Sequence, residues 1–499
     1  MQTGKKIKFN FILGVVSEVL AILLGVFVPR FVLTSYGSEI NGLIGSITQI
    51  YSYIGLLEAG VGVATVQALY RTVAKNDQNA TNAVLAATNI FYRKTGLYYL
   101  LAILVFSVVY PFLITTDIPL HTIVLIIILN GMGSVIQYFF QAKYFLLFQA
   151  EGKAYIKSSL LIFTNLFKNI AKIILMHLMF DVVFVQLIAM FVSLIQMSYV
   201  VWHIHAKYPW IDLSVKPDFA SISQSSNVLV HEICGLIFNN TDCIVLSLFC
   251  GLKTVSVYSM YALLVGMVKT AFLTVAQSFV FSLGQAFHGD KERFIKIYDC
   301  YEIYYLALTF ALFSIANFFL LPFMKLYTAG VTDINYIDPI IAYLFIGGAL
   351  LSCCRAAPNN LVNWAGHFKK TQNRAILEAT INIVVSLVCV KIWGIYGVLL
   401  GTIAALAYRT NDFIIYANIH ILKRSPFGSY RRVFAAVGIF IGILWLGNYI
   451  TLPLDSYRAI FIYCIPVSAV VLSIYFAIVS CCFPSSAKNF WLLMRKVIG

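Results

Sequence analysis

Fourteen apolar runs, separated by short polar connections, fill almost the whole chain: 9–33, 40–70, 95–116, 120–147, 155–179, 181–205, 225–249, 253–286, 296–326, 338–365, 371–392, 394–420, 432–450 and 457–483. A helix needs about 20 apolar residues to cross a bilayer, and nearly every run reaches that length. Charged residues make up 11% of the 499, against about 25% in a globular domain, so they cannot cover a water-facing surface. This excludes a soluble enzyme, a disordered chain and a small disulfide scaffold. The expectation is an all-α polytopic membrane protein. Lys5, Lys6 and Lys8 precede the first run as they would in a signal peptide, but Phe9–Leu33 outlasts a cleavable apolar region and is expected to span. Runs 40–70 and 253–286 exceed one bilayer thickness and are expected to tilt or to project beyond it.

The net charge of +15 raises the question of a nucleic-acid partner. Its distribution argues against one. With the N-terminus cytoplasmic, alternate connections hold Lys5, Lys6 and Lys8, then Arg71, Lys75, Arg93 and Lys94, then Lys143, Lys153 and Lys157, then Lys207 and Lys216. Lys291, Arg293 and Lys296 follow, then Lys369, Lys370 and Arg374, then Lys423, Arg424, Arg431 and Arg432, then Lys488, Arg495 and Lys496. The opposite connections are nearly bare, with Lys253, Lys325, Lys391 and Arg458 as exceptions. Lys and Arg accumulate on the cytoplasmic side, so an even span count places both termini there. The ten cysteines form neither CxxC nor a zinc spacing, and no metal or disulfide is expected.

The runs repeat. An offset of 214 maps Glu18 onto Glu232, Gly37 onto Gly251 and Gly152 onto Gly366. Each half runs long helix, glycine turn, extra-long helix, then a loop with Asp77 or Asp290. Six spans per half implies parallel repeats. The expected division is a six-helix lobe over 1–218, a second over 219–430, and two further helices over 431–499.

Ionisable groups inside spans are costly and mark polar cavities or structural pairs. The first half holds Glu18, Arg30, Glu58, Lys168 and Lys172; the second holds Glu232, Asp242, Lys269 and Arg355. Lys168 and Lys172 are four apart and share a helix face, with Asn165 and Asn169 beside them. Arg355, Asn359 and Asn363 repeat that spacing next to Pro358, which should kink its helix. The expectation is a hydrophilic, partly cationic cavity. Arg30 can also snorkel to the outer surface, Glu18 and Glu58 can serve as structural pairs, and His231 beside Glu232 reads as a proton carrier or as a satisfied structural histidine.

Pro29–Arg71 reads PRFVLTSYGSEINGLIGSITQIYSYIGLLEAGVGVATVQALYR, with Arg30 closing the first helix, then Gly37, Asn41-Gly42-Leu43 and Glu58-Ala59-Gly60. Further on come Arg355-Ala356-Ala357-Pro358, Asn363-Trp364-Ala365-Gly366, Lys369-Lys370-Thr371, Glu378, Ile381-Asn382, Gly394-Ile395-Tyr396-Gly397-Val398 and Gly401-Thr402. In order and spacing these resemble the polysaccharide transporter family, the Wzx-like O-antigen and capsule repeat-unit flippases of the multidrug/oligosaccharidyl-lipid/polysaccharide (MOP) superfamily. The resemblance covers nearly the whole chain. It implies a two-lobe, monomeric transporter of the bacterial cytoplasmic membrane. Its substrate would be an undecaprenyl-diphosphate-linked oligosaccharide, moved to the outer leaflet by alternating access, with a polysaccharide polymerase as partner. Arg30, Lys168, Lys172, Lys269 and Arg355 would hold the diphosphate, since Arg and Lys in a dry cleft bind such an anion strongly. Asn165, Asn169, Asn359 and Asn363 would line the cavity. Na+ or H+ coupling would fall to Glu18, Glu58, Glu232 or Asp242, with no bound cofactor.

Two alternatives within the superfamily are a lipid II flippase and a multidrug or metabolite antiporter; the cations disfavour cationic drugs. A different class is an integral membrane polymerase or acyltransferase. The sequence contains no GxxxxGK[ST], HExxH or GxSxG motif, and no outer connection is long enough for a polymerase loop. The expectation is therefore not an enzyme. Cysteine substitutions at Asp77, Asp290 and Lys369 should all label from the cytoplasmic side; labelling of any one from outside breaks the topology.

Overall fold

The computed structural model describes residues 3–58, 61–222, 226–450 and 452–488. Their backbone is helical, without strands. This is the solution a bilayer imposes, because a helix satisfies its own backbone donors and acceptors where water cannot. In chain order the helices are α1 (Thr3–Ile54), α2 (Val61–Ala74), α3 (Gln78–Val109), α4 (Leu120–Ile136), α5 (Ala142–Ala150), α6 (Ala154–His177), α7 (Val182–Lys207), α8 (Ser226–Asn240) and α9 (Asp242–Phe249). There follow α10 (Leu252–Phe287), α11 (Lys291–Tyr327), α12 (Pro339–Cys354), α13 (Ala356–Trp364), α14 (Phe368–Trp393), α15 (Ile395–Tyr416), α16 (Phe427–Gly447) and α17 (Tyr457–Cys482). Among the described residues, eleven helical stretches are long and apolar enough to cross a membrane. The other three expected spans fall on α1, on α1 continuing into α2, and on α8–α9. The helices gather into two compact units, Met1–Ser256 and Val257–Gly499.

The expected repeat is visible in the backbone. Gly37 and Gly251, 214 apart, both sit at φ 81°, a left-handed conformation open to glycine. Gly152 and Gly366, also 214 apart, have φ of 69° and 66°. The loops with Asp77 and Asp290 make matching N-caps: each carboxylate accepts from the backbone N–H three residues on, at 2.9 Å. Thus each half spends the same residue types on the same turns.

Two long runs behave differently. α10 is one continuous helix of 36 residues, about 54 Å at 1.5 Å per residue. Run 40–70 instead breaks: α1 stops at Ile54, a 3-10 turn covers Gly55–Glu58, and α2 restarts at Val61. The stretch Gly55–Gly62 contains three glycines, which weaken a helix, and the break brings Glu58 to a turn.

Within the first unit, α1, α3, α4 and α7 enclose a core that includes Leu43, Ile47, Tyr99, Ile103 and Ile126. The arm of α1 after Gly37 crosses the start of α10 at van der Waals distance. A Cβ on Gly42 would fall 1.9 Å from the Leu252 carbonyl oxygen, and Asn41 Nδ2 donates to Ser256 Oγ at 2.6 Å. Gly25, on the same helix, has open space around it. Gly42→Ala should therefore cost about 1–3 kcal/mol by forcing the crossing apart. Gly25→Ala should leave the thermal midpoint of the purified protein unchanged or raise it; equal behaviour of the two variants would refute the crossing.

Candidate functional site

In the second unit, the site is built on the antiparallel pair α14 and α15. Gly397 and Gly401, one turn apart on α15, face α14 without side chains. A Cβ on Gly397 would fall 2.2 Å from the Cys389 carbonyl oxygen, and one on Gly401 2.2 Å from Ser386 Oγ. Small residues at this spacing let membrane helices meet backbone to backbone. Asn382 Nδ2 donates to Thr402 Oγ1 at 3.1 Å and extends the seam. Further along it, charged side chains face each other across the pair.

These side chains form a ladder. Arg355 pairs with Glu378 Oε1, and Arg409 Nε lies 3.3 Å from Glu378 Oε2, at ion-pair distance but off line for a hydrogen bond. Arg409 Nη1 lies 2.7 Å from Asp412 Oδ2, and Arg374 pairs with Asp412 Oδ1. The Arg409 side chain is 3% exposed, whereas those of Arg355 and Arg374 are 23% and 35% exposed. The ladder thus has a buried hub and two open ends. Three arginines face two carboxylates, a surplus of one positive charge. Lys269, on α10, lies within electrostatic reach of Arg355 and Cys353.

The Arg355 end is set by a helix break. Pro358 lacks an N–H, and the helix interrupts at Arg355 between α12 and α13, where the expected kink falls. Asn359 follows half-buried and Asn363 exposed. Beside this end lies an apolar groove of about 500 Å³, lined by Phe272, Val275 and Phe279 of α10, Tyr301 and Tyr305 of α11, and Phe476 of α17. Tyr305 joins the two features. Its ring packs 5.0 Å from that of Phe272, and its hydroxyl donates to the Cys353 carbonyl at 3.1 Å.

At the Arg374 end, the guanidinium stacks 4.7 Å from the centre of the Tyr416 ring, and the Tyr416 hydroxyl lies 3.1 Å from His367 Nδ1. His367, in the turn before α14, has a pKa below its ordinary value, first through partial burial and then through Lys370, His420 and Lys423. A separate network is charge-balanced. Asp299 lies 2.7 Å from Arg424 and 2.8 Å from Arg432, and Arg432 also pairs with Glu302. Ser429 donates to Glu302 at 3.1 Å, which fastens α16 to α11.

In the first unit, Lys172 Nζ donates to Gln186 Oε1 at 3.0 Å and borders a cavity of about 100 Å³ shared with Pro29, Tyr36 and Asn41. Lys168 sits half-buried one turn earlier on α6, near enough to act on Lys172. The Asn169 amide donates to the Asn165 carbonyl of its own helix at 2.8 Å. Phe163 and Phe167 cover the opposite, exposed face of α6. Arg30, also half-buried, follows Pro29 in α1. Glu58 accepts from the Tyr92 hydroxyl at 2.9 Å and, with Tyr138 and Asn239, lines an open cavity of about 640 Å³. Asp242 is buried at the start of α9, beside Thr241, whose hydroxyl lies 2.5 Å from that of Tyr53. The side chains of Glu18, His231 and Glu232 lie outside the described residues.

The structure therefore places Lys269 beside Arg355, Lys168 beside Lys172, and Arg30 near the cavity of Lys172. Glu58 lines the cavity that also contains Asn239, and Asp242 is buried at the start of α9. The residues that sequence reasoning missed are Arg374, Glu378, Arg409 and Asp412. A signal was present: Arg409 and Asp412 lie three apart inside run 394–420, and Arg374 and Glu378 lie four apart at the head of run 371–392.

No protein-family model and no curated protein matches the sequence. Solved structures do match in fold. A lipid II flippase, MurJ, in an inward closed conformation superposes with a TM-score of 0.66 at 13% identity, over 93% of this chain and 99% of that one. A multidrug resistance MATE family transporter of the MOP superfamily matches in its inward-facing conformation with a TM-score of 0.61 at 14% identity, over 81% of this chain and 95% of that one. The outward-facing conformation of such a transporter gives 0.54 at 14% identity, over 84% and 97%. The chain has the polytopic helical fold of these transporters.

Arg409→Met leaves Glu378 and Asp412 buried without their shared cation. It should destabilise the protein by about 3–5 kcal/mol in thermal unfolding. The triple variant Arg409→Met/Glu378→Gln/Asp412→Asn should recover part of that loss; a single variant as stable as wild type would refute the hub.

Proposed function

We propose that the chain is a flippase that moves an undecaprenyl-diphosphate-linked oligosaccharide repeat unit from the inner to the outer leaflet of the bacterial cytoplasmic membrane, for O-antigen, capsule or exopolysaccharide synthesis. The observation that carries this reading is the pair of cations Arg355 and Lys269, linked through Cys353 and Tyr305 to an apolar groove. A polyprenyl diphosphate has matching parts, an anionic head and an apolar tail. The cations of the site repel cationic drugs and hold a diphosphate through charge-assisted hydrogen bonds. The fold agrees, since one structural neighbour is by name a lipid II flippase and others are transporters. Lipid II is the second reading, because it too joins a prenyl diphosphate to sugar and that neighbour covers 93% of this chain. On this proposal the working parts are a lobe over 1–218, a second over 219–430 and the helix pair over 431–499, acting by alternating access with both termini cytoplasmic. Lys172 and Lys168 serve as a second cationic station. No catalytic step and no bound cofactor is part of it.

Deleting the gene should leave lipid-linked oligosaccharide on the inner leaflet and deplete the free carrier pool. Arg355→Glu or Lys269→Glu should reproduce that block at normal protein levels. An unchanged carrier pool in the deletion, or wild-type export by both variants, would sink the proposal.

A further inference from the structure

Four membrane-crossing stretches of the second unit have ends at two short connections: one stops at Trp364 and the next starts at Phe368, and another stops at Leu422 before the last but one starts at Phe427. The turn over 365–367 and the end of α15 meet at one buried ring, that of Tyr416. The Tyr416 hydroxyl lies 3.1 Å from His367 Nδ1, and the His420 ring packs 4.7 Å from that of Tyr416. The Lys370 ammonium donates to His367 Nε2 at 3.2 Å, which leaves the imidazole proton on Nδ1, toward Tyr416. Lys423 follows a π-helical turn over Ala417–Leu422 in a left-handed conformation, φ 56°, and its charge reaches His367.

These cations differ from the arginines nearby in what answers them. Arg424 and Arg432 have Asp299 and Glu302, and Arg374 has Asp412. Lys370 and Lys423 enter no ion pair among the described residues, and both are exposed, as is His420. The groups whose charge acts on His367 are all basic: Lys370, His420 and Lys423. Lysines scattered over a connection would be topology alone. Lysines brought from two connections onto one imidazole repel each other, and an anion placed among them relieves that repulsion. Exposed apolar side chains adjoin the cluster, Phe368 next to His367, Ile415 next to Tyr416 and Ile419 next to His420. Cations and apolar surface therefore lie together where the spans end, the arrangement that suits an amphiphile with an anionic head.

We propose that this cluster is a headgroup site for an anionic phospholipid, with the phosphate held by Lys370, Lys423 and His420 and the acyl chains along Phe368, Ile415 and Ile419. Two ammonium groups supply charge and donors to a phosphodiester, which is an acceptor only. The site is open, and a bilayer presents its own lipids at high concentration, so a modest intrinsic affinity fills it. A lipid bound there bridges the turn before α14 and the end of α15 and stabilises both. The site lies outside the Arg355 end of the ladder and holds whether or not the chain is a flippase.

The test is native mass spectrometry of the full chain in neutral detergent, titrated with phosphatidylglycerol and with phosphatidylcholine of the same acyl chains. Wild type should hold one phosphatidylglycerol more tightly than any phosphatidylcholine. Lys370→Gln/Lys423→Gln should weaken that tightest site by about 25-fold, about fivefold for each lysine, with phosphatidylcholine unaffected. Lys291→Gln/Lys296→Gln removes the same charge from exposed lysines of another connection and should leave the tightest site as in wild type. Equal losses in the two double variants, or wild-type affinity in the first, would overturn the proposal. Farnesyl diphosphate decides the occupant: its binding should be the same in wild type and in Lys370→Gln/Lys423→Gln. If that binding weakens, the cluster takes the diphosphate of a prenyl carrier and the phospholipid assignment falls.

Discussion

A charge in the low-dielectric interior of a membrane protein is tolerated where another charge or a dipole answers it, and that constraint organises the second unit. Arg409 is almost fully enclosed, so its guanidinium must be matched on site by Glu378 and Asp412. Those two carboxylates lie on different helices, which therefore have to run in contact. Gly397 and Gly401 allow that contact by removing side chains from the seam. With the hub neutralised and its surroundings packed, the remaining arginines stand at the two ends, where water or a ligand can reach them. The chemistry of the open ends follows from the closure of the middle.

The two halves repeat their backbone devices but not their charges. Gly37 and Gly251, Gly152 and Gly366, and the caps at Asp77 and Asp290 recur because each answers a problem of geometry, a left-handed turn or an open helix end. Shifting the ladder back by 214 gives Gln141 for Arg355, Thr164 for Glu378, Ile195 for Arg409 and Ser198 for Asp412. The first unit has neutral residues at all of these positions, one of them apolar, and Gln141 accepts from Gln196 Nε2 at 3.3 Å. Its own cations, Lys168 and Lys172, correspond to Asn382 and Ser386, which hold the α14–α15 seam. Architecture is therefore shared and electrostatics is specialised, as expected where a fold is a scaffold for a site.

The spans were legible because about 20 apolar residues is a length that the bilayer demands, and the glycine turns because a left-handed φ strongly favours that residue. Legibility failed where a property depends on two helices at once. Arg374 and Arg432 stand at the very start of their apolar runs and count by position with the polar connections, yet each reaches back to a carboxylate of a long apolar helix. A long arginine stem permits this, and no one-dimensional charge count registers it. The 3-10 turn at Gly55–Glu58 was similarly hidden inside one continuous apolar run, although the glycines around it were in view.

The cations found by reading along the chain also need sorting by what answers them. Lys172 is met by a neutral amide, that of Gln186, beside a small cavity. Arg355 is met by a carboxylate, so an anion binds there only by exchange. The two arrangements have different consequences for a transported anion. An unopposed lysine in a dry place attracts strongly and releases slowly, whereas a cation with its own counter-ion trades one partner for another in either direction. A carrier must release what it binds, and the second arrangement provides for release because Glu378 competes for the arginine from within the protein.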